Sequence, residues 1–216
     1  MNSPKQSSFL KFTALAVMLA AATAAFSAEA GTFSARIRAT YLSMANGSDA
    51  FTALNINFAS GAVHVNSKLI PEVDLNYNFT QQFSTELVLT IPQTQDVTLA
   101  GVGKLGTFKH LPPTLLAQYK FMAPSEAFQP YVGFGLNYTL IWGTSLSVAG
   151  IPLALEHNSI GFAAQAGFDY DLGGGHFLNL DIKKVNIESD VKIAGNRLTT
   201  AKLNPWLFSI GYGWKF

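Results

Sequence analysis

The sequence predicts an all-β fold, an eight-stranded antiparallel transmembrane β-barrel, and three observations carry that prediction. The last eleven residues alternate without a fault: Trp206, Phe208, Ile210, Tyr212, Trp214 and Phe216 share one parity, and Leu207, Ser209, Gly211, Gly213 and Lys215 share the other. Successive side chains of a strand point to opposite faces, so this is a strand with an aromatic-tipped face toward lipid and a small or polar face toward a lumen. Charged residues make up 12% of the chain, against roughly 25% in ordinary globular chains, yet past the N-terminus no segment is continuously apolar enough to span as a helix. A chain that is apolar overall but never continuously so suits a closed sheet in lipid. Finally, the connections between alternating runs come in two kinds, short at one rim and long at the other, as transmembrane barrels require.

At the N-terminus, Lys5 and Lys11 precede an apolar run from Phe12 to Phe26 that ends in the small residues around Ser27-Ala28-Glu29-Ala30. The run is shorter than the roughly 20 residues of a spanning helix and reads as a secretory signal peptide over 1–28, cut after Ala28 or Ala30, with the barrel over 29–216. Two of the 14 Lys and Arg lie in it, so the mature chain carries 12 basic against 13 acidic residues, net −1. Nucleic acid is not an expected partner of such a chain. The absence of cysteine excludes a disulfide framework, a thiol nucleophile and a Cys-based metal site.

The first strand falls at 32–42, with Phe33, Ile37 and Tyr41 outward and Ser34, Arg36, Arg38 and Thr40 inward. The second, 69–79, places Val73, Leu75, Tyr77 and Phe79 out and Glu72, Asp74, Asn76 and Asn78 in; the third, 83–91, places Leu87, Leu89 and Ile91 out and Glu86, Val88 and Thr90 in. The fourth, 111–121, sets Leu115, Tyr119 and Phe121 against Leu116, Gln118 and Lys120, and the fifth, 130–141, sets Val132, Phe134, Leu136, Tyr138 and Leu140 against Gly133, Gly135, Asn137 and Thr139. The sixth covers 158–170, the seventh 176–187, and the eighth is the C-terminal strand. In the seventh, the alternation of Leu178, Leu180 and Ile182 breaks at Lys183-Lys184, after which Val185 and Ile187 take the other parity. A β-bulge or the end of the membrane span would produce that change. Short connections lie near 80–82, 122–129 and 171–175, long ones near 43–68, 92–110, 142–157 and 188–201.

Several segments resemble the OmpW family of outer-membrane proteins, which includes alkane-uptake porins. They are Lys109-His110-Leu111-Pro112-Pro113-Thr114-Leu115, Gln118-Tyr119, the run from Pro130 to Thr139, and Asn204-Pro205-Trp206 before the aromatic terminus. The terminal Phe216 with aromatics spaced by two is similar to the C-terminal signal that the outer-membrane assembly machinery reads. The resemblance implies a barrel in the bacterial outer membrane, both termini in the periplasm, in contact with lipid and lipopolysaccharide. It also implies an apolar channel for small hydrophobic solutes. A monomer is expected, without cofactor.

An eight-stranded barrel is just wide enough for its own side chains to fill, so a water-filled pore is not the starting expectation. Arg36, Arg38, Asp74, Glu86, Lys120, Asp169, Asp181 and Lys183 share the inward parity, and charges in so confined a space must pair. They are expected to form a plug in the lower and middle lumen. Above it the inward set turns less polar, with Val88, Thr90, Leu116, Leu207 and, near the rim, Trp142, giving a hydrophobic channel over a charged floor. Pro92 ends the third strand and Pro112-Pro113 begin the fourth, removing three ladder donors high in the wall. Two readings stand: the prolines end the pairing where loops begin, or they leave a lateral opening into the outer leaflet.

Other signals are weaker. Gly101-Val102-Gly103-Lys104-Leu105-Gly106 has the spelling of a dinucleotide-binding turn but no crossover helix after it, and reads as a flexible external loop. His64, His110 and His157 lie in or beside the external loops without ligand spacing, and no metal site is expected. A lipid-modifying enzyme would need a Ser or His with a carboxylate on the lipid-facing parity near the outer rim; none is visible, and no enzyme is expected. The expected function is passive uptake of small hydrophobic molecules with lateral release, the alternative a structural or surface-interaction barrel serving as receptor or adhesin.

Overall fold

The computed structural model describes residues 31–216 apart from 54 and 124. The proposed signal peptide, 1–28, lies outside the described residues. Eight wall strands form the barrel: β1 (Thr32–Ser43), β2 (Lys68–Asn78), β3 (Phe83–Thr90), β4 (Thr114–Lys120), β5 (Phe128–Val148), β6 (Asn158–Gly173), β7 (His176–Val185) and β8 (Trp206–Lys215). Each pairs antiparallel with its neighbours in sequence, and β8 returns to β1 from Ser34↔Lys215 to Ser43↔Trp206, which closes the sheet. Closure removes the free edges that an open sheet would present to lipid.

The alternation read from the sequence sets the two faces. Ile160, Ile210, Phe134 and Phe162 are exposed on the outside at 72%, 61%, 60% and 58%, a density of apolar surface that a chain in water does not carry. Inside, the register sets Arg36 opposite Asp74 and Arg38 opposite Glu72 across β1 and β2, a stabilising arrangement of cross-strand charges.

Above the membrane the connections are built of strands. Gln93–Leu99 and Gly103–Leu111 form a hairpin whose second arm pairs with the top of β5, and Ile151–Leu155 folds back on that same top. Glu188–Ile193 and Asn196–Lys202 form a further hairpin joined to Ile151–Leu155. The glycine-rich segment 101–106, expected as a flexible loop, is the tip and rising arm of the first hairpin, with Val102 N–H donating to Leu99 O at 3.0 Å. β4 begins at Thr114 instead of 111, because Pro112 and Pro113 offer no ladder donor and Leu111 belongs to the hairpin arm.

In these extensions the faces exchange character. Phe108, Ile141, Val185 and Ile187 point inward and are buried at 1–3% exposure, while their neighbours Lys109 and Asn186 face out. The change at Lys183-Lys184 in β7 is therefore not a bulge: Lys183, Lys184 and Val185 pair in unbroken register with Gln165, Ala164 and Ala163. Lys184 turns outward, its Nζ 5.0 Å from the centre of the Trp206 ring.

Candidate functional site

The lumen has a charged floor and an apolar cup. In the floor, Arg36 Nη1 lies 2.9 Å from Glu86 Oε1 and its Nη2 lies 2.7 Å from Asp169 Oδ2. Arg38 meets Asp74 at 2.8 Å, Glu72 at 3.1 Å and Glu86 at 3.2 Å. Lys183 completes the upper edge at 3.4 Å from Glu72 and 3.8 Å from Asp181. Gln118 and Gln165 donate to Glu86 Oε2 at 2.9 and 2.7 Å, and the Tyr131 hydroxyl donates to Asp181 at 2.8 Å. Buried ions are tolerable when paired and hydrogen-bonded in this way. The adjacent strands make room for them by omission, Gly211 pairing with Arg38 and Gly167 with Tyr131. A Cβ on Gly211 would stand 2.6 Å from Arg38 Cγ, and one on Gly167 would stand 2.6 Å from the Tyr131 hydroxyl.

Seven of the eight charged residues predicted for the floor meet in this network. Lys120 stands apart at the periplasmic rim, its Nζ donating to Asn78 at 2.8 Å. Glu72, Tyr131 and Asn179 are members that the sequence reading left out of the plug. All three carry the inward parity, which was the available signal.

Above the floor a small cavity is lined by Leu42, Ile70, Val88, Leu207 and, from the polar side, Glu72 and Lys183. Val88, Leu207 and Thr90 line this cavity, and Leu116, 1% exposed, packs in the same apolar cluster. Trp142 does not. It continues the outward parity of Tyr138 and Leu140 and is half-buried, while Ile141, 3% exposed, takes the lumenal place. Higher still, Phe51, Val65, Val97, Phe108, Ile141 and Val191 help enclose a second, largely apolar cavity of about 40 Å³, with Ser189 and Thr199 also on its wall.

The prolines interrupt the wall on one side only. The β3–β4 ladder ends at Val88↔Thr114, and pairing resumes at Gln93↔His110 in the hairpin above. Between these rungs residues 89–92 face 111–113 without ladder pairs. On the β5 side the seam is closed: Tyr138 N–H donates to Pro113 O at 3.0 Å, and Asn137 Nδ2 donates to Pro112 O and Pro113 O at 3.2 Å. Thr90 and Pro112 border the interruption and also line the cup cavity.

The three loop histidines do not meet. His64 and His157 are exposed and His110 is fully buried, and among the described residues no group of three His, Cys, Asp or Glu is placed to hold a metal ion.

The OmpW family model matches residues 29–216. This chain belongs to the OmpW family. Outer membrane protein W of Vibrio cholerae serotype O1 is 37% identical over 164 residues, covering 70% of this chain and 76% of the relative. Its counterpart in Escherichia coli K12 is 28% identical over 214 residues, covering 96% and 99%. The crystal structure of OprG from Pseudomonas aeruginosa superposes with a TM-score of 0.76 at 29% identity, covering 87% of this chain and 96% of that one. The OmpW-family chain is accordingly an outer-membrane β-barrel, set among membrane lipid, and its family supports an outer-membrane channel.

Proposed function

We propose that the barrel is a passive channel for small hydrophobic molecules, which enter the cup from outside and leave sideways between β3 and β4 into the outer leaflet. The observation that carries this reading is the coincidence of three features: a floor closed by paired charge, an apolar cup resting on it, and a wall interruption sharing Thr90 and Pro112 with the cup cavity. A solute that cannot pass Arg36 and Arg38 has the interruption as its way out. Burial at about 25 cal/mol per Å² of apolar surface holds a small solute loosely, which suits passage. The N-terminal signal peptide would deliver the chain to the periplasm, and the assembly machinery would insert it among lipid and lipopolysaccharide.

Engineered cysteines near Ile91 and Leu111, at a pair meeting the Cα separation of about 4.4–6.8 Å that a disulfide needs, test the exit. The oxidised form should fold and reach the surface yet block uptake of a hydrophobic tracer, and reduction should restore it. Equal uptake by both forms would remove lateral release and favour a surface-interaction barrel.

A further inference from the structure

The inward face of the hairpin arm Gly103–Leu111 runs from one cavity to the other: Phe108 lines the upper and His110 the lower. Their rings are 5.9 Å apart. His110 is fully buried, its Nε2 3.1 Å from the amide nitrogen of Gln95, which is also fully buried. Neither His110 Nδ1 nor Gln95 Oε1 has a hydrogen-bond partner among the described residues. Interiors leave few such groups, because burying them unpaired is costly. The polar neighbours in the same cavity are already committed. Asn137 donates to Thr114 and to the Pro112 carbonyl, Thr90 donates to Pro71 O, and Lys183 pairs with Glu72. One further unpaired hydroxyl, that of Ser189, occurs on the wall of the upper cavity.

We propose that His110 and Gln95 form a subsite for the hydroxyl of an aliphatic alcohol, so that the cargo is a small amphiphile with one uncharged polar end. The proposal rests on the uptake reading above and names its substrate class. A hydroxyl both donates and accepts, so it can pair with His110 Nδ1 whichever ring nitrogen carries the proton. A carboxylate suits the place poorly. Burial pushes the imidazole down to about 4, so it is neutral at physiological pH, and the cation on this cavity, Lys183, is held by Glu72 and Asp181. The alkyl tail has apolar walls on either side, Phe108 above and Leu42, Ile70 and Val88 below.

Two measurements on the full chain test this. With the histidines ¹⁵N-labelled and the barrel in lipid nanodiscs, 1-octanol should shift the His110 ring nitrogens saturably, while octane should not. An identical response to both, or none to octanol, would overturn the subsite. In cells, His110→Phe should lower the ratio of 1-octanol to octane uptake about tenfold, the loss of one buried hydrogen bond; an unchanged ratio would also overturn it. If wild-type cells take up neither probe faster than cells without the barrel, the uptake reading fails, and the ring-nitrogen titration alone decides the subsite.

Discussion

Phe177 occupies the space that Gly213 leaves empty: a Cβ added to that glycine would fall against the edge of the Phe177 ring. Phe177 is 2% exposed, and the Arg36 guanidinium carbon sits 5.4 Å from its ring centre. The periplasmic base of the floor is thus an aromatic under an arginine. Gly213→Ala should destabilise the barrel by about 1–3 kcal/mol through overpacking, read from urea unfolding in lipid. Combining it with Phe177→Leu should recover part of the loss, whereas additive losses would show that the two residues do not compete for space.

Arg38 contacts three carboxylates from a fully buried position. Arg38→Ala strands that acidic cluster and should cost about 3–5 kcal/mol, the scale for breaking a buried pair from one side. With the network intact, single-channel conductance should be very small. A large, steady conductance from the wild type would show that ions pass the floor.

Phe216 N–H donates to Phe33 O at 2.9 Å, across the seam where β8 meets β1. Deleting Phe216 should reduce the yield of heat-modifiable monomer in the outer membrane, measured by the mobility shift between unheated and boiled samples. Undiminished yield would separate this residue from assembly.

In the cup, Val88→Asp should slow uptake of a hydrophobic tracer while leaving small hydrophilic solutes unaffected, because an unpaired carboxylate there raises the cost of desolvation. Parallel uptake assays with both solute types check it.

The hairpin above the wall should respond to acid through His110, whose ordinary value of 6.5 is pushed to about 4, chiefly by burial and then by Lys68. The unfolded hairpin binds the proton first, so its stability is full above pH 6.5, declines as the pH falls toward about 4, and levels off below that. Hydrogen exchange of the 93–111 amides, corrected for intrinsic rates, should show this slope in the wild type and lose it in His110→Phe.

The wall was legible because lipid imposes a period of two, and Arg36, Arg38, Asp74 and Glu86 stand out as charges confined to the inward face of strands whose other face is apolar. Their mutual contacts were not legible, since these depend on which side chains lean across the lumen at one height. Trp142 was misplaced because size and position near the rim outweighed the parity it shares with Tyr138 and Leu140. The hairpins at 93–111 and 188–202 read as loops in the sequence because their alternation carries no lipid-facing apolar side. Their alternation, as in Ser189, Val191 and Ile193, is short and has its apolar side turned inward. The same reversal makes β7 look irregular at Lys184, although its register is unbroken there.

That reversal places oil on both sides of the wall at one height only. Lower down, an aperture would open from lipid onto Arg36, Glu86 and their partners; higher up, it would open from an apolar chamber onto water. At the level of Val88 and Ile91 the inner surface is apolar, and Ile91 is exposed on the outer one. Pro92, Pro112 and Pro113 interrupt the β3–β4 ladder there, so on the proposed uptake reading a molecule leaving by that route would stay out of water throughout.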